Sequence, residues 1–443
     1  MSERAAVESA QEFAHSAVPT EATGSALKVF FIVSGACFGL SVFILASLVV
    51  SGLGLREALL AFGVGAGISG VLGGVSVYVG ARMRMSVALL AQRTFGFWGG
   101  QAVRVLLAIS LIGWFAVITS LFGATTTELV QKIFSVHVGS AWVSVPLTGL
   151  ITLVVLKGVL GLERLGQVVV PCAVVMLVAA VVMTLRRADL AAPLADGSGA
   201  LTFGDAVSAI VGSYIVGIVI QPDYGRFVRR PRRAALATFV ALGAVYPLSL
   251  LMSALPMALL REDDVILAMV SLGIGLPALL VFLLAAWMDA SASLYSGCLS
   301  LATLFPKLRF RIAVVAAGCL GALLAVLHAE QFFMSFLQVL SISLPPVAAV
   351  QCYVVLVPLR KAGSDPLAVP GLAWVAVAAW IVGAAVGIAS SRALFRLTDI
   401  PALDSIVGAL AVMICLRPLA PYALRVKPAL GGSRAPSRSE PPP

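Results

Sequence analysis

The chain is written as long apolar runs separated by short polar or basic breaks. A helix needs about 20 mostly apolar residues to cross a bilayer. Twelve segments meet or approach that length: 28–50, 57–79, 99–128, 142–158, 164–185, 203–222, 234–257, 274–301, 310–328, 332–358, 371–389 and 402–420. Gly and Pro interrupt many of them, which membrane helices tolerate because neighbouring helices satisfy the freed backbone groups. The pattern predicts an all-α polytopic membrane protein with 12 transmembrane helices.

One position breaks the pattern. Between Val265 and Pro306 the only charged residue is Asp289, in the stretch "LLAAWMDASASLY". On a helix it shares a face with Ala285, Ala286, Ala292, Ser293 and Ser296, while Leu283, Trp287 and Leu294 point elsewhere. That small face is expected to pack into the bundle, towards the first span. A charged Asp at mid-membrane costs about 2.5–3.5 kcal/mol even on the lenient insertion scale. No Lys or Arg lies deep in a span except Arg104 near one end. The remaining partners are a bound cation and a proton.

Two spans are interrupted by glycines near their middle. The first reads "VSGACFGLSVF", with Gly35 and Gly39; the sixth reads "IVGSYIVGIVIQP", with Gly212 and Gly217. The third and eighth spans each carry a tryptophan in similar surroundings, Trp114 and Trp287. Interrupted helices in corresponding halves point to a transporter built of inverted repeats, with its site where the helices break. Ordinary small-residue packing is the competing explanation.

Composition agrees with a lipid environment. Of 443 residues 60% are hydrophobic and 11% charged, and the mean hydropathy is +1.05; a soluble chain is nearer about 25% charged. The net charge of +10 reads as the positive-inside rule rather than nucleic-acid binding. With a cytoplasmic N-terminus, only Arg56, Lys132, Arg186, Arg187, Arg261, Arg392 and Arg396 fall outside, leaving 23 of 30 basic residues inside. Both termini are therefore expected in the cytoplasm, across a bacterial inner membrane. Six cysteines lie singly in apolar runs and the three histidines, 15, 137 and 328, are scattered. Neither a metal site nor a disulfide framework is expected. Residues 1–27 read as a polar cytoplasmic tail without a cleaved signal, and 421–443 as a disordered one.

Several stretches together resemble the nucleobase–cation symporters of the cytosine permease and hydantoin transporter type. They are "GARMRMSVALLAQRTFG" (80–96), "GWFAV" (113–117), "GLERLGQVVVP" (161–171), "VGSYIVGIVIQPDYGRFVRRPRRA" (211–234), "AAWMDASASLYSG" (285–297) and "FLQVLSISLPPVAAV" (336–350). The resemblance implies a leucine-transporter-type fold. By that resemblance residues 28–185 and 203–358 are expected to form a five-plus-five inverted repeat, and 371–420 two peripheral helices. It implies uptake of a nucleobase or related small heterocycle driven by a proton or sodium gradient. No cofactor, nucleic acid or obligate protein partner is implied; the partners are the substrate and the lipid bilayer. Matching positions assign Trp114, Tyr214, Ser213, Phe38, Ser41 and Ala290 to the substrate. They assign Gly35, Gly39, Ala285 and Asp289 to the cation. A flat ring suits aromatic stacking with a few polar groups fixing its orientation.

The chain departs from the family at the eighth span. The polar run expected after Trp287 is Met288-Asp289-Ala290, and position 285 is Ala. Hydroxyl ligands for sodium are reduced and one carboxylate replaces them, so Asp289 is expected to be the coupling site. Asp223 and Arg226 could form a gate-side ion pair, and Pro345-Pro346 a hinge or a kink. A same-fold carrier for an amino acid or vitamin precursor is the closest rival. An intramembrane enzyme would need convergent His, Cys or Glu groups, and none converge.

Overall fold

The computed structural model describes residues 18–19, 21, 23–136, 138–157, 162–188, 196–262, 265–305, 307–357 and 371–416. The two tails, His15, His137, Asp263 and Asp264 lie outside them. All described regular elements are helical, apart from two isolated bridges. They are α1 (Leu27–Ala36), α2 (Leu40–Leu53), α3 (Leu55–Met83), α4 (Val87–Phe134), α5 (Ser140–Lys157), α6 (Leu162–Arg187), α7 (Phe203–Gly225), α8 (Pro231–Val240) and α9 (Tyr246–Leu260). There follow α10 (Val265–Ser271), α11 (Gly275–Leu304), α12 (Phe310–Val326), α13 (Phe333–Ser343), α14 (Pro345–Leu356), α15 (Trp374–Ser391) and α16 (Pro401–Cys415).

Among the described residues, eight helices or continuous helix runs are long and apolar enough to cross a membrane, nine if α1 and α2 count as one bent span. Three shorter apolar helices, within α5, α12 and α16, accompany them. The outer surface carries many large apolar side chains, among them Leu60, Val71, Val175, Leu280, Leu323 and Ile381. The interior holds Ser, Thr, Ala and Gly beside its core of Phe, Leu and Val. Lipid, not water, accounts for that distribution.

Of the two interruptions expected from glycines, only the one in the first span occurs; the sixth span runs unbroken through Gly212 and Gly217 in α7, where the glycines serve close packing instead, a Cβ on Gly212 lying 2.2 Å from Leu337 O. The breaks that do occur have local causes. α1 and α2 meet at 57°, where Gly39 is extended at φ −94°, ψ 156°. α4 turns at Gly96, whose φ of 80° is open to glycine. Between α8 and α9 the chain widens into a π turn, Ala241–Val245, in which Tyr246 N–H reaches back to Ala241 O. Pro247 has no N–H to give a carbonyl four residues back, and a widened turn is one way a helix absorbs that loss. α13 and α14 part at Leu344, immediately before the Pro345-Pro346 pair.

α3 and α7 pack against one another along much of their length, through glycines on both helices. A Cβ on Gly80 would lie 2.4 Å from Pro222 Cα, and one on Gly225 would lie 2.5 Å from Val77 O. Gly63 on the same helix has open space around it. Gly80→Ala should therefore lower stability by about 1–3 kcal/mol, the usual cost of overpacking. Gly63→Ala should leave it unchanged or slightly raised. Thermal unfolding of the two variants side by side checks this, and equal midpoints would refute the close-packing account.

α15 and α16 form a hairpin tied by Asp404, which is fully buried. Its carboxylate accepts from Ser390 Oγ (2.5 Å), Thr398 Oγ1 (2.6 Å), Thr398 N (2.9 Å) and Leu397 N (3.3 Å). Four donors compensate the burial of the charge. Ser208 of α7 accepts from Ala402 N at 3.1 Å and so joins the hairpin to the bundle.

Candidate functional site

At the α1–α2 break two helix ends face a common space. The last carbonyls of α1 carry the negative end of its dipole and the first amides of α2 the positive end, each equivalent to about half a charge. Gly39, the residue preceding α2, offers no side-chain cap. Asp289 of α11 lies beside it without capping it: a Cβ built on Gly39 would lie 3.6 Å from Asp289 Oδ2 and 3.6 Å from Ser41 Oγ. The carboxylate thus sits at the open start of α2. Among the described residues it makes no ion pair, and it is partly accessible.

Its described hydrogen-bond donor is Trp114 of α4, whose Nε1 donates to Asp289 Oδ2 at 3.3 Å. α4 and α11 pack closely, which brings the two residues together across 175 positions of sequence. The Trp114 ring lies 5.9 Å from Phe336 and 6.3 Å from Phe333, both on α13. Gly113 makes room for this: its Cβ would meet the Phe336 ring at 3.0 Å.

Tyr214 of α7 anchors to the other side of the break. Its hydroxyl donates to Val33 O at 3.1 Å, and its ring lies 5.9 Å from Tyr246. The Cys37 thiol shares the Val33 carbonyl at 3.3 Å and lies 4.0 Å from Ala241 O in the π turn. Ser213 donates to Ile210 O at 2.8 Å and sits 2.5 Å from Tyr246 Oη. The buried Ser34 hydroxyl has no hydrogen-bond partner among the described residues.

Of the residues singled out from sequence, Trp114, Asp289, Gly39 and Ser41 meet in one place. Phe38 is buried at the break itself. Gly35 faces Val170 of α6, not α11. Ala285 and Ala290 are buried in helix packing. The expected small face of α11 needs correction: Ala292 is exposed, whereas Leu294, expected to point away, is fully buried. Packing against α4, α6 and α12 buries more of the circumference than one small stripe. Asp223 and Arg226 lie close enough for their charges to act on one another, and Asp223 Oδ1 also accepts from Val87 N at 2.9 Å, capping the start of α4.

Sequence reasoning missed Phe333, Phe336 and Tyr246. The Tyr246-Pro247 pair marked the π turn in retrospect. The phenylalanines read only as part of an apolar run.

The family model described as "Permease for cytosine/purines, uracil, thiamine, allantoin" matches residues 18–408. The chain is 26% identical to the cytosine permease of Escherichia coli strain K12 over 341 residues, 76% of this chain and 79% of that protein. The cytosine permease of Escherichia coli O157:H7 matches to the same extent. Among solved structures it is similar to Mhp1, a nucleobase-cation-symport-1 family transporter, in a closed conformation with bromovinylhydantoin bound. There the TM-score is 0.72 at 18% identity, covering 92% of this chain and 96% of that one. A Na+-coupled sialic acid symporter aligns with a TM-score of 0.55 at 12% identity, over 90% of this chain and 96% of that one. Those likenesses give the fold, and the family match spans most of the sequence: this multi-pass membrane protein is a transporter and belongs to the family of permeases for cytosine/purines, uracil, thiamine and allantoin.

Proposed function

We propose that this protein is a cation-coupled symporter that imports a nucleobase, cytosine or a purine, or a related small heterocycle by alternating access. The observation that carries the reading is the Trp114–Asp289 hydrogen bond at the mouth of the α1–α2 break. It joins the ring surface suited to a flat heterocycle to a carboxylate suited to a cation. Similarity to the cytosine permeases supports the substrate class, and the fold shared with a Na+-coupled symporter supports coupling.

In this reading Trp114 stacks on the ring, Tyr214 flanks it, and Phe38, Ser41 and Ser213 line the pocket, with Ala290 packed behind them as a small residue that leaves the wall room. Asp289 takes the proton or sodium ion, with backbone between Gly35 and Gly39 and the α11 segment at Ala285 beside it. Loading neutralises the carboxylate at the α2 start. An uncharged Asp289 no longer gains from the α2 dipole, so the break and α11 are free to part. Substrate stacking on Trp114 adds contact to the loaded state, and the two ligands thereby favour one conformation together.

The architecture accompanying this reading has twelve spans. The bent pair α1–α2, the eight long helices or helix runs and the three short apolar ones supply them. Residues 28–185 and 203–358 are the inverted repeats, 371–420 adds two peripheral spans, and both termini face the cytoplasm of a bacterial inner membrane.

Uptake of radiolabelled cytosine, adenine, hydantoin and a thiamine precursor into proteoliposomes tests the reading. Accumulation above the external level should require an inward proton or sodium gradient and collapse when it is dissipated. Equilibration alone, indifferent to every imposed gradient, would leave a facilitator and sink the coupling. Accumulation of an amino acid instead would keep the coupling and replace the substrate.

A further inference from the structure

Beyond the transport site, a cavity of 560 Å³ opens where α1 and α8 begin. Gly24 pairs with Val228 in a parallel bridge, with Gly24 N donating to Phe227 O at 2.7 Å and Arg229 N donating to Gly24 O at 3.1 Å. This short clip holds the strand before α1 against the loop before α8, so both helices start at the same level. The cavity between them is lined on one side by Arg229, Arg230 and Arg233, and on the other by Leu27, Phe30 and Leu236.

The three guanidinium groups are exposed and make no side-chain hydrogen bond or ion pair among the described residues. Leu27 and Leu236 are 58% and 62% exposed. They belong to segments long and apolar enough to cross the membrane. The start of such a segment is the level of the lipid headgroups. A soluble anion would use the arginines but leave the apolar wall wet. A phospholipid uses both: its phosphate meets the planar, bidentate donors, and its acyl chains cover the leucines and Phe30. We propose that this cavity is a binding site for an anionic phospholipid, which bridges the start of α1 to the start of α8.

Native mass spectrometry of the full-length protein tests this, using bilayer nanodiscs of phosphatidylglycerol, phosphatidylethanolamine or an equal mixture. From the mixture the protein should retain phosphatidylglycerol with about a tenfold preference, each surface arginine adding to the attraction. The full-length triple variant Arg229→Gln/Arg230→Gln/Arg233→Gln should lose that preference while keeping its thermal midpoint in detergent. Millimolar inorganic phosphate should not displace the lipid. Equal retention of the two lipids, or a preference that survives in the triple variant, would overturn the proposal. Displacement by inorganic phosphate would assign the cavity to a free anion instead. Phosphatidylglycerol retention that appears only after Glu3→Gln/Glu8→Gln/Glu12→Gln would assign it to the chain's own N-terminal segment.

Discussion

Asp289→Asn should abolish concentrative uptake while sparing exchange of labelled substrate across the membrane. The amide occupies nearly the volume of the carboxylate, and its oxygen still accepts the Trp114 N–H now received at 3.3 Å. What disappears is the charge at the open start of α2. Asn cannot be loaded or unloaded by a proton, and it is a neutral ligand for sodium. The variant is thus held in one state of the coupling site, and the two solute fluxes separate. Internal substrate should rise only to the external level, whatever gradient is imposed. An equal loss of exchange and of thermal stability would instead mean that Asp289 is a structural hydrogen-bonding group. An Asp289→Asn transporter that accumulates substrate like the parent would remove the coupling role altogether.

The second large effect is expected at Trp114, where two substitutions divide the residue's duties. Trp114→Phe keeps an aromatic face against Phe336 and Phe333 but loses the N–H that reaches Asp289. Trp114→Ala loses both and opens a cavity, at about 3–5 kcal/mol of stability for so large a side chain. Ring stacking on a base is worth about 1–3 kcal/mol, roughly a five- to 150-fold change in Kd. Binding measured by isothermal calorimetry should therefore weaken by that amount in the alanine variant and by much less in the phenylalanine variant. Coupling should fail differently: Trp114→Phe should bind substrate well yet transport with a smaller accumulation ratio, because the link to the carboxylate is gone. If Trp114→Ala binds the heterocycle as tightly as the parent, the ring is not the platform.

Much of this was legible in the sequence, for a physical reason. A carboxylate in a 42-residue stretch from Val265 to Pro306 that otherwise lacks charge stands out because the membrane penalises it. Gly35 and Gly39 marked the break between α1 and α2 because glycine weakens a helix at its middle. The helix segments themselves followed from hydropathy, since backbone groups in lipid leave few alternatives. What stayed hidden depends on contacts distant in sequence. Phe333 and Phe336 look like any other apolar residues of their run until α13 is seen against α4 and α7. Asp223 carries a charge that suggested Arg226 three residues on, and the two do act on one another, but nothing in the spacing showed that it also caps a helix start 136 residues away. The buried face of α11 was judged from side-chain size, while three neighbouring helices set it, burying Leu294 and leaving Ala292 outside.

The bend at Gly96 sets a mechanical ratio. Trp114 lies about 27 Å up the helix from it, at about 1.5 Å per residue, while Asp223 pins the near end at Val87. A swivel of about 10° at that glycine would sweep the indole through roughly 5 Å over this arm. Because α11 is packed along α4, such a swivel would carry the carboxylate with the indole. Tyr214, moored to Val33 across the break, would stay behind, so the gap between them would widen or close with a small rotation far from either ring.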